Sequence, residues 1–357
     1  MSEHFFSKVE IKNFKSIEYI EFECKRINVF IGKPNVGKSC IIEALSLLAN
    51  PDLLFQQDLK SVINFEDNSN LFHNNINRNN ISIRTDNSIA LMNYDKNYNF
   101  LKSNNKLLLE PSNHYLFDDF KSINEIFNQF KQKYGNPDLV LLNPYNSDIH
   151  YYQITEHLND FSGFTKPYKF KANINYLSKD NLSLLIPNGN NLFWILSQYE
   201  DLQNEFAEIL GEYNLDLVYD PSKNLYFSQK KLQKYNVSQI PFSMLADTIQ
   251  RIIFYSAAIE SNNNSILLFE EPEVNSFPPY IQELSNKILL SKTNQFFITT
   301  HSPYLLTTLL ESSTNEVILN IVGYKDGKTT IYQTSSDEIS ELLSYDSDIF
   351  LNIDRYI

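Results

Sequence analysis

The feature that most constrains the fold of this chain is the stretch VFIGKPNVGKSCIIEAL, residues 29–45. It reads as an apolar strand, a loop and an apolar helix, and the loop has the spacing G-x-x-x-x-G-K-S of a phosphate-binding P-loop. The alternative, a chance Lys-Ser in an ordinary βα turn, is disfavoured because both flanks are of the required type. The sequence therefore predicts an α/β domain whose buried parallel strand leads into a nucleotide-binding turn.

The residue types of this loop suit a nucleoside triphosphate and Mg²⁺. Glycines let the backbone N–H groups turn toward phosphate oxygens, and the lysine places a positive charge on the β and γ phosphates. The serine hydroxyl is a metal ligand and opens a helix whose N-terminal dipole favours an anion. We expect ATP to contact Gly32, Lys33, Pro34, Asn35, Val36, Gly37, Lys38, Ser39 and Cys40, with Ser39 also binding the metal.

Cys40 follows the serine directly and has two interpretations. It is either a small, buried apolar residue in the first helical turn, or a thiol whose pKa is lowered by the helix N-terminus beneath the nucleotide.

A second group of candidates lies in SILLFEEPEVNSFPP, residues 265–279. An apolar strand ends at Glu270 and Glu271, and the carboxyl ends of strands in open α/β sheets are where ligands bind. We assign Glu270 to the Mg²⁺ shell and Glu271 as the base that orients the attacking water, because phosphoryl transfer needs both functions. The alternative is a solvated acidic turn, which the P-loop in the same chain disfavours.

Two further segments complete the predicted site. The strand of QFFITTHSP ends at His301, which at that edge of the sheet can hydrogen-bond a γ phosphate. In PFSMLADTIQRIIFY, Asp247 is the expected N-cap of a helix, and Gln250 is its capping-box partner. The N-terminus of this helix could bind an anion, and the alternative is a well-capped core helix with no such role. The alternative for His301 is a purely structural histidine.

Elsewhere the patterns predict a β-rich segment, a mixed segment and a second α/β segment. Short strands are expected over 60–110, in SVINFED, NISIRTD, SIALMNYD, YNFLKS and NKLLLE. Helical periodicity appears in LFDDFKSINEIFNQFKQKY and LFWILSQYEDLQNEFAEILGEY, and LDLVYD and NLYFSQK form a hairpin around PSKN. From residue 240 helices and buried strands alternate, and a final hairpin turns at KDGK.

Four motifs in this order resemble the ATP-binding-cassette ATPase heads of the SMC/RecF-like class, and within it the OLD-type family of AAA ATPases. IKNFKSIEYIEF resembles the opening strand-turn-strand of that family, GKPNVGKS its Walker A loop, LLFEEPE its Walker B strand, and ITTHSPYLL its switch-histidine segment. The resemblance covers residues 8–50 and 240–335. It implies an ABC-type head with an N-terminal ATPase lobe at 1–110, a mixed α/β insertion at 111–239 and a C-terminal ATPase lobe at 240–357.

The resemblance also implies ATP hydrolysis by a dimer. Two heads enclose two ATP molecules, and the helix of one protomer acts in trans on the ATP of the other, here through Ser243, Asp247, Thr248 and Gln250. His301 acts in cis with Glu271. Two positions depart from the family pattern, since Glu270 stands where Asp is usual and Thr248 where Gly is usual. We therefore expect firm ATP binding and slow turnover.

Composition limits the partners. The formal net charge of −13 argues against a surface that coats nucleic acid, although Lys and aromatic residues interleave in QKKLQKY (229–235) and KPYKFKA (166–172). Lysines that keep exposed strand edges apart are the simpler interpretation of both. With two cysteines, no signal-peptide core and no bilayer-spanning apolar run, we expect a cytoplasmic protein that does not enter membranes.

Three functions remain open at this stage. The first is an ATPase switch whose head dimerisation controls a separate effector in bacterial anti-phage defence. The others are a RecF-like DNA-repair ATPase and a nucleotide-stabilised scaffold that hardly hydrolyses ATP. OLD-type nucleases also carry a TOPRIM nuclease domain, and we expect none in this chain.

Overall fold

The computed structural model describes residues 4–49, 59–95, 97–103, 125, 129, 132, 139–142, 164–176, 181–223, 225–233, 236–312, 315–344, 350 and 353–355. The strands are β1 Lys8–Phe14, β2 Ile17–Glu23, β3 Ile27–Gly32, β4 Ile81–Thr85, β5 Ile89–Asp95, β6 Asn97–Ser103, β7 Leu139–Leu142, β8 Thr165–Tyr168, β9 Asp216–Asp220, β10 Leu225–Gln233, β11 Asn236–Pro241, β12 Ile266–Glu270, β13 Gln295–Thr299, β14 Val317–Lys325 and β15 Lys328–Gln333. The α-helices are α1 Lys38–Ser46, α2 Leu192–Gln198, α3 Glu200–Gly211, α4 Asp247–Glu260, α5 Pro278–Leu290, α6 Pro303–Ser312 and α7 Ser336–Ser344.

The sheet that carries the P-loop strand is largely parallel. Its order is β15-β14-β3-β13-β12-β8, and only the β14–β15 pair is antiparallel. Every residue of β3 is buried, as expected for a parallel strand covered on both faces. Because β13 lies between β3 and β12, the loops after these three strands emerge side by side at one edge of the sheet.

A second sheet is antiparallel, in the order β2-β1-β4-β5-β6-β7. It meets the parallel sheet where β2 runs close to β15. There the Gln333 side chain accepts from the backbone N–H of Glu23 at 3.0 Å and donates to its carbonyl at 2.8 Å. Lys328 donates to the Glu18 carboxylate at 2.6 Å. The C-terminal hairpin therefore ties the two sheets together.

A third, three-stranded sheet in the order β11-β10-β9 precedes α4. The predicted hairpin around PSKN is confirmed by the β9–β10 pairing. The aromatic rings of Phe193, Phe206 and Phe242 pack edge to face beside this sheet. This cluster fixes the turn that leads into α4.

Two expectations about local structure were wrong. The segment SVINFED is not a strand: Leu59–Ser61 is a 3₁₀ turn, and the backbone of Asn64 bonds to side chains instead, donating to Glu43 and accepting from Lys15. The helix expected over residues 192–213 is broken at Tyr199, whose backbone is extended. Acidic residues in the first turn of α3 favour a new helix start there.

Some of the remaining sequence expectations are confirmed, and the others concern residues outside the described ranges. NISIRTD, SIALMNYD and YNFLKS form β4, β5 and β6, and the hairpin at KDGK joins β14 and β15. NKLLLE lies outside the described residues, as does most of LFDDFKSINEIFNQFKQKY. Within the described ranges, no helix is both long enough and apolar enough to cross a membrane.

Candidate functional site

The P-loop connects β3 to α1, and its two glycines are required for different reasons. A side chain at Gly32 would place its Cβ 2.3 Å from the carbonyl oxygen of Val322 on β14. Gly37 has a φ of 103°, which favours glycine, and a Cβ there would lie 2.2 Å from Thr329 Oγ1. The loop is thus held against the C-terminal hairpin, which sequence reasoning did not connect with it.

Thr329 makes that connection through hydrogen bonds. Its hydroxyl lies 2.9 Å from the Val36 carbonyl and 2.7 Å from Ser16 Oγ, and its N–H donates to the Ser16 carbonyl. The Ser16 hydroxyl in turn approaches Cys40 Sγ at 3.4 Å. Thr329 and Ser16 therefore brace the loop on the side facing the antiparallel sheet.

The Lys38 ammonium points back into the P-loop. Only 6% of this residue is exposed, and the ammonium donates to the carbonyl oxygens of Gly32 at 3.0 Å and Lys33 at 2.8 Å. Burial lowers the Lys38 pKa, and the negative charge of Glu271 opposes that shift. A phosphate entering the loop would exchange neutral carbonyl partners for anionic ones, which makes stronger hydrogen bonds.

The environment of Cys40 does not lower the pKa of its thiol. Burial raises its pKa, and the nearby Glu43 raises it further, while contacts with Ser16 and Lys15 act in the opposite direction. Cys40 packs partly buried against the hydrophobic core. The expectation of a lowered pKa was therefore wrong, and the apolar interpretation fits the structure; contact of Cys40 with the nucleotide stays a prediction.

The two predicted carboxylates have distinct environments at the end of β12. Glu270 is the last residue of the strand, and its Oε2 lies 3.6 Å from the ammonium of Lys169. Glu271 turns away with a φ of 43°, and its N–H donates to the Thr299 carbonyl at 3.0 Å. Such a positive φ is rare for a residue with a side chain. Because of it, the side chains of Glu270 and Glu271 point in different directions.

His301 lies beside Glu271, with its Nε2 at 3.5 Å from Glu271 Oε1. Burial lowers the pKa of His301 and the positive charge of Lys38 lowers it further, while Glu271 opposes both. The imidazole is therefore favoured in its neutral form near pH 7. The structure thus brings together the predicted base Glu271, the histidine and the P-loop lysine, which the sequence placed at three separate strand ends.

Glu273 is a site residue that sequence reasoning missed. It is 7% exposed, and its Oε1 accepts from the Thr300 hydroxyl at 2.6 Å and from the His301 N–H at 2.9 Å. Its Oε2 is buried and has no hydrogen-bond partner among the described residues, and burial raises the pKa of Glu273. Glu273 therefore fastens the backbone of His301 to the loop after β12. Its signal in the sequence was the third glutamate of EEPE.

The residues expected to act in trans lie at the start of α4, but the predicted cap was wrong. Ala246 is the N-cap and Asp247 is already helical, with its carboxylate 2.7 Å from Arg251. The Gln250 amide donates to the Leu245 carbonyl at 2.8 Å instead of completing a capping box. An Arg one turn along the helix outcompetes the backbone for the Asp247 carboxylate.

Ser243 and Thr248 complete this segment. Ser243 is exposed in the 3₁₀ turn Phe242–Met244, and its carbonyl lies 3.4 Å from the Gln250 amide nitrogen. The Thr248 hydroxyl donates to the carbonyl of Asn275 in the loop after β12. In the described residues, no hydrogen bond or ion pair of these side chains reaches the P-loop of the same chain.

The donor set fits Mg²⁺. Ser39 offers a hydroxyl and Glu270 a carboxylate, and Mg²⁺ is usually bound by one or two carboxylates together with substrate phosphates. Within the described part of the chain, no group of three or more His, Cys, Asp or Glu residues could hold a metal ion. Ser39 and Glu270 stay the predicted protein ligands, and phosphate oxygens and water would fill the other positions around the ion.

The lysines considered for nucleic-acid contact are partly engaged within the protein. Lys166 donates to the side chains of Ser183 and Asn262, and burial lowers its pKa to about 8. Lys169 pairs with Glu270. Lys230 and Lys231 are exposed on β10, which is the central strand of its sheet, not an edge.

The family model of the AAA ATPase domain matches residues 5–306. No curated protein sequence matches the chain.

Among solved structures, the chain is similar to an SMC head bound to the C-winged helix domain of ScpA, with 13% identity, coverage of 94% of this chain and 99% of that chain, and a TM-score of 0.52. It also matches an SMC head from Thermotoga maritima (11% identity, 92% and 99% coverage, TM-score 0.42). A third match is an SMC head with an extended coiled coil, bound to the C-terminal domain of ScpA, from Pyrococcus furiosus (11%, 95% and 98%, 0.47). The first of these indicates the α/β fold of an SMC-type ATPase head.

Proposed function

This chain belongs to the AAA ATPase domain family, and on that premise we propose that it binds ATP at the P-loop and slowly hydrolyses it between two copies of itself. The observation that carries the proposal is the meeting of three strand ends. Lys38 after β3, Glu271 after β12 and His301 after β13 influence one another electrostatically, and the last two lie 3.5 Å apart.

The roles follow from the chemistry of each group. The P-loop N–H groups and Lys38 bind the β and γ phosphates, and Ser39 and Glu270 hold Mg²⁺. Bound Mg²⁺ would neutralise phosphate charge. Glu271 accepts a hydrogen bond from the attacking water and orients it, while neutral His301 donates to the γ phosphate.

Turnover by single variants tests these roles. Glu271→Gln keeps the size of the side chain but removes the base, so hydrolysis falls by about 10²-fold or more while ATP binding persists. Glu311→Gln makes the same change on the exposed face of α6 and serves as the matched control. If Glu271→Gln neither slows turnover nor retains bound ATP, Glu271 is not the base.

The dimer is supported by apolar side chains exposed around the same edge. Met244 precedes α4, Phe277 precedes α5 and Tyr304 lies in the first turn of α6, and they are 74%, 58% and 59% exposed. Their positions border the proposed trans segment, the loop after β12 and the loop of His301. Exposed apolar side chains beside these three segments favour contact with a second protein surface.

A mixing experiment tests action in trans. Lys38→Ala cannot bind ATP but keeps its α4 segment, and Ser243→Glu binds ATP but presents a repulsive charge to the partner's phosphates. Each variant alone should be inactive. An equimolar mixture forms some dimers with one intact composite site, so it should regain up to about a quarter of wild-type turnover. A mixture no more active than its components contradicts the composite site.

The biological role rests on the resemblance to OLD-type ATPases. We infer that ATP-dependent dimerisation controls a separate effector protein in defence against phage. Glu270 and Thr248, which depart from the family pattern, favour slow turnover, and slow turnover would also suit a nucleotide-stabilised scaffold that hardly hydrolyses ATP. Phage plating on cells that express the chain with its neighbouring genes tests the role. Protection that survives Lys38→Ala would show that ATP binding is not needed for it.

A further inference from the structure

A lysine of the chain itself lies beside the proposed metal ligand, at the end of the edge strand β8. Lys169 follows β8, which pairs in parallel with β12, so both strands end at the same edge of the sheet. The Lys169 N–H donates to the Pro187 carbonyl at 2.9 Å, and its own carbonyl accepts from Asn188 Nδ2 at 2.7 Å. The backbone of Lys169 is therefore fixed where its side chain reaches the site.

The ammonium of Lys169 lies between two side chains. It is 3.6 Å from Glu270 Oε2 and 3.4 Å from Asn64 Oδ1. The Lys169 side chain is 38% exposed, whereas that of Glu270 is 20% exposed. Glu270 is the carboxylate assigned to Mg²⁺. Its negative charge, which the metal would neutralise, is therefore already partly offset by the ammonium of Lys169.

We propose that Lys169 is a tethered cation that shares the Glu270 carboxylate with Mg²⁺ and so weakens the dependence of nucleotide binding on the metal. The inference deepens the proposed function, because it rests on ATP binding at the P-loop. Lys169 acts here as a positioning and selectivity residue, not as a group that takes part in bond breaking.

Two electrostatic effects act in the same direction. Without a metal, the triphosphate approaches Glu270 and Glu271, and the charge of Lys169 offsets part of their repulsion. With Mg²⁺ present, the ammonium competes for Glu270 and repels the ion, so the metal contributes less than it would beside an unpaired carboxylate. Both effects reduce the ratio of the ATP dissociation constant in EDTA to that in Mg²⁺.

The test measures that ratio for nucleotide binding, with no need for turnover. The fluorescent analogue N-methylanthraniloyl-ATP is titrated into full-length protein in excess Mg²⁺ and in EDTA, at fixed ionic strength. Lys169→Gln should raise the ratio about three- to tenfold, as expected for losing one partly screened charge near a divalent ion. Lys169→Arg keeps the charge and should restore a ratio near that of wild type.

Lys171→Gln is the matched control, because Lys171 is an exposed lysine two residues further along the chain. Its ratio should equal that of wild type. An unchanged ratio in Lys169→Gln overturns the inference while leaving ATP binding intact. Equal weakening in Mg²⁺ and EDTA also overturns it, since Lys169 would then be a simple phosphate contact. Absence of binding by the wild type in Mg²⁺ refutes the proposed function itself, and this inference with it.

Discussion

Replacing Glu273 by leucine should destabilise the protein and detach His301 from the loop after β12. The change removes the acceptor of one buried donor, the Thr300 hydroxyl, and of one partly buried donor, the His301 N–H. Each unsatisfied buried donor costs about 1–3 kcal/mol of stability. Removing Oε2, which is buried with no partner among the described residues, offsets part of that cost. We therefore expect a net loss of about 2–3 kcal/mol in the free energy of unfolding.

Glu273→Gln distinguishes the effect of the two hydrogen bonds from the effect of the titratable carboxyl group. The amide oxygen can still accept both bonds, so its free energy of unfolding at low pH should lie within about 1 kcal/mol of wild type. Urea unfolding gives the stabilities, and ATP turnover reports the position of His301. Glu311→Gln, on the exposed part of α6, is again the control.

The pH dependence has a definite sign. Burial raises the pKa of Glu273 above its ordinary value of 4.5. The stability that its proton contributes is therefore fully present below pH 4.5 and is lost as the pH rises through the folded-state pKa. Glu273→Gln does not titrate, so its stability relative to wild type should increase as the pH rises from 4 upward. A constant difference over that range, or a Glu273→Leu variant as stable and active as wild type, would refute this reasoning.

Three further variants test other parts of the structure. Thr329→Val removes the hydroxyl that donates to Val36, so the ATP dissociation constant should rise about fivefold and Thr329→Ser should restore it; equal affinities would contradict the bracing role. Gly37→Ala should abolish nucleotide binding in a filter assay, because its Cβ meets Thr329 and its φ is positive; wild-type binding would show that the loop adapts. Burial lowers the pKa of Lys102 to about 7, so wild-type stability to urea should rise between pH 7 and 9, whereas Lys102→Met should not show that gain; parallel curves would count against a buried amine.

The sequence allowed prediction of those parts of the site that lie within one strand and the loop that follows it. Loop spacing identified Gly32 to Ser39, and apolar runs placed Glu271 and His301 at strand ends. Their meeting then followed from the tendency of parallel strands to present their carboxyl ends together. The structure adds the strand order, with β13 between β3 and β12, which no local pattern contains.

The missed residues act across long separations in sequence. Thr329 and Val36 are 293 positions apart, and Lys169 reaches Glu270 only because β8 pairs with β12. A local rule also failed at Asp247, where a capping-box pattern was present but Arg251 bound the carboxylate. Periodicity and spacing depend on residues that are close along the chain, so they do not predict contacts between strands that meet only in the assembled sheet.

The distribution of charge at the nucleotide edge explains why Glu271 is the best candidate for the base. Glu43 on α1 is buried and bonded to Lys15, and Glu270 is paired with Lys169. Each of these carboxylates has a lysine within ion-pair distance, so a cation already engages its oxygens. Glu271 has instead a histidine whose pKa is lowered, so its partner is favoured in the neutral form. Among the described residues no ion pair joins Glu271 to a lysine, so its oxygens can accept a hydrogen bond from the water that attacks a phosphate.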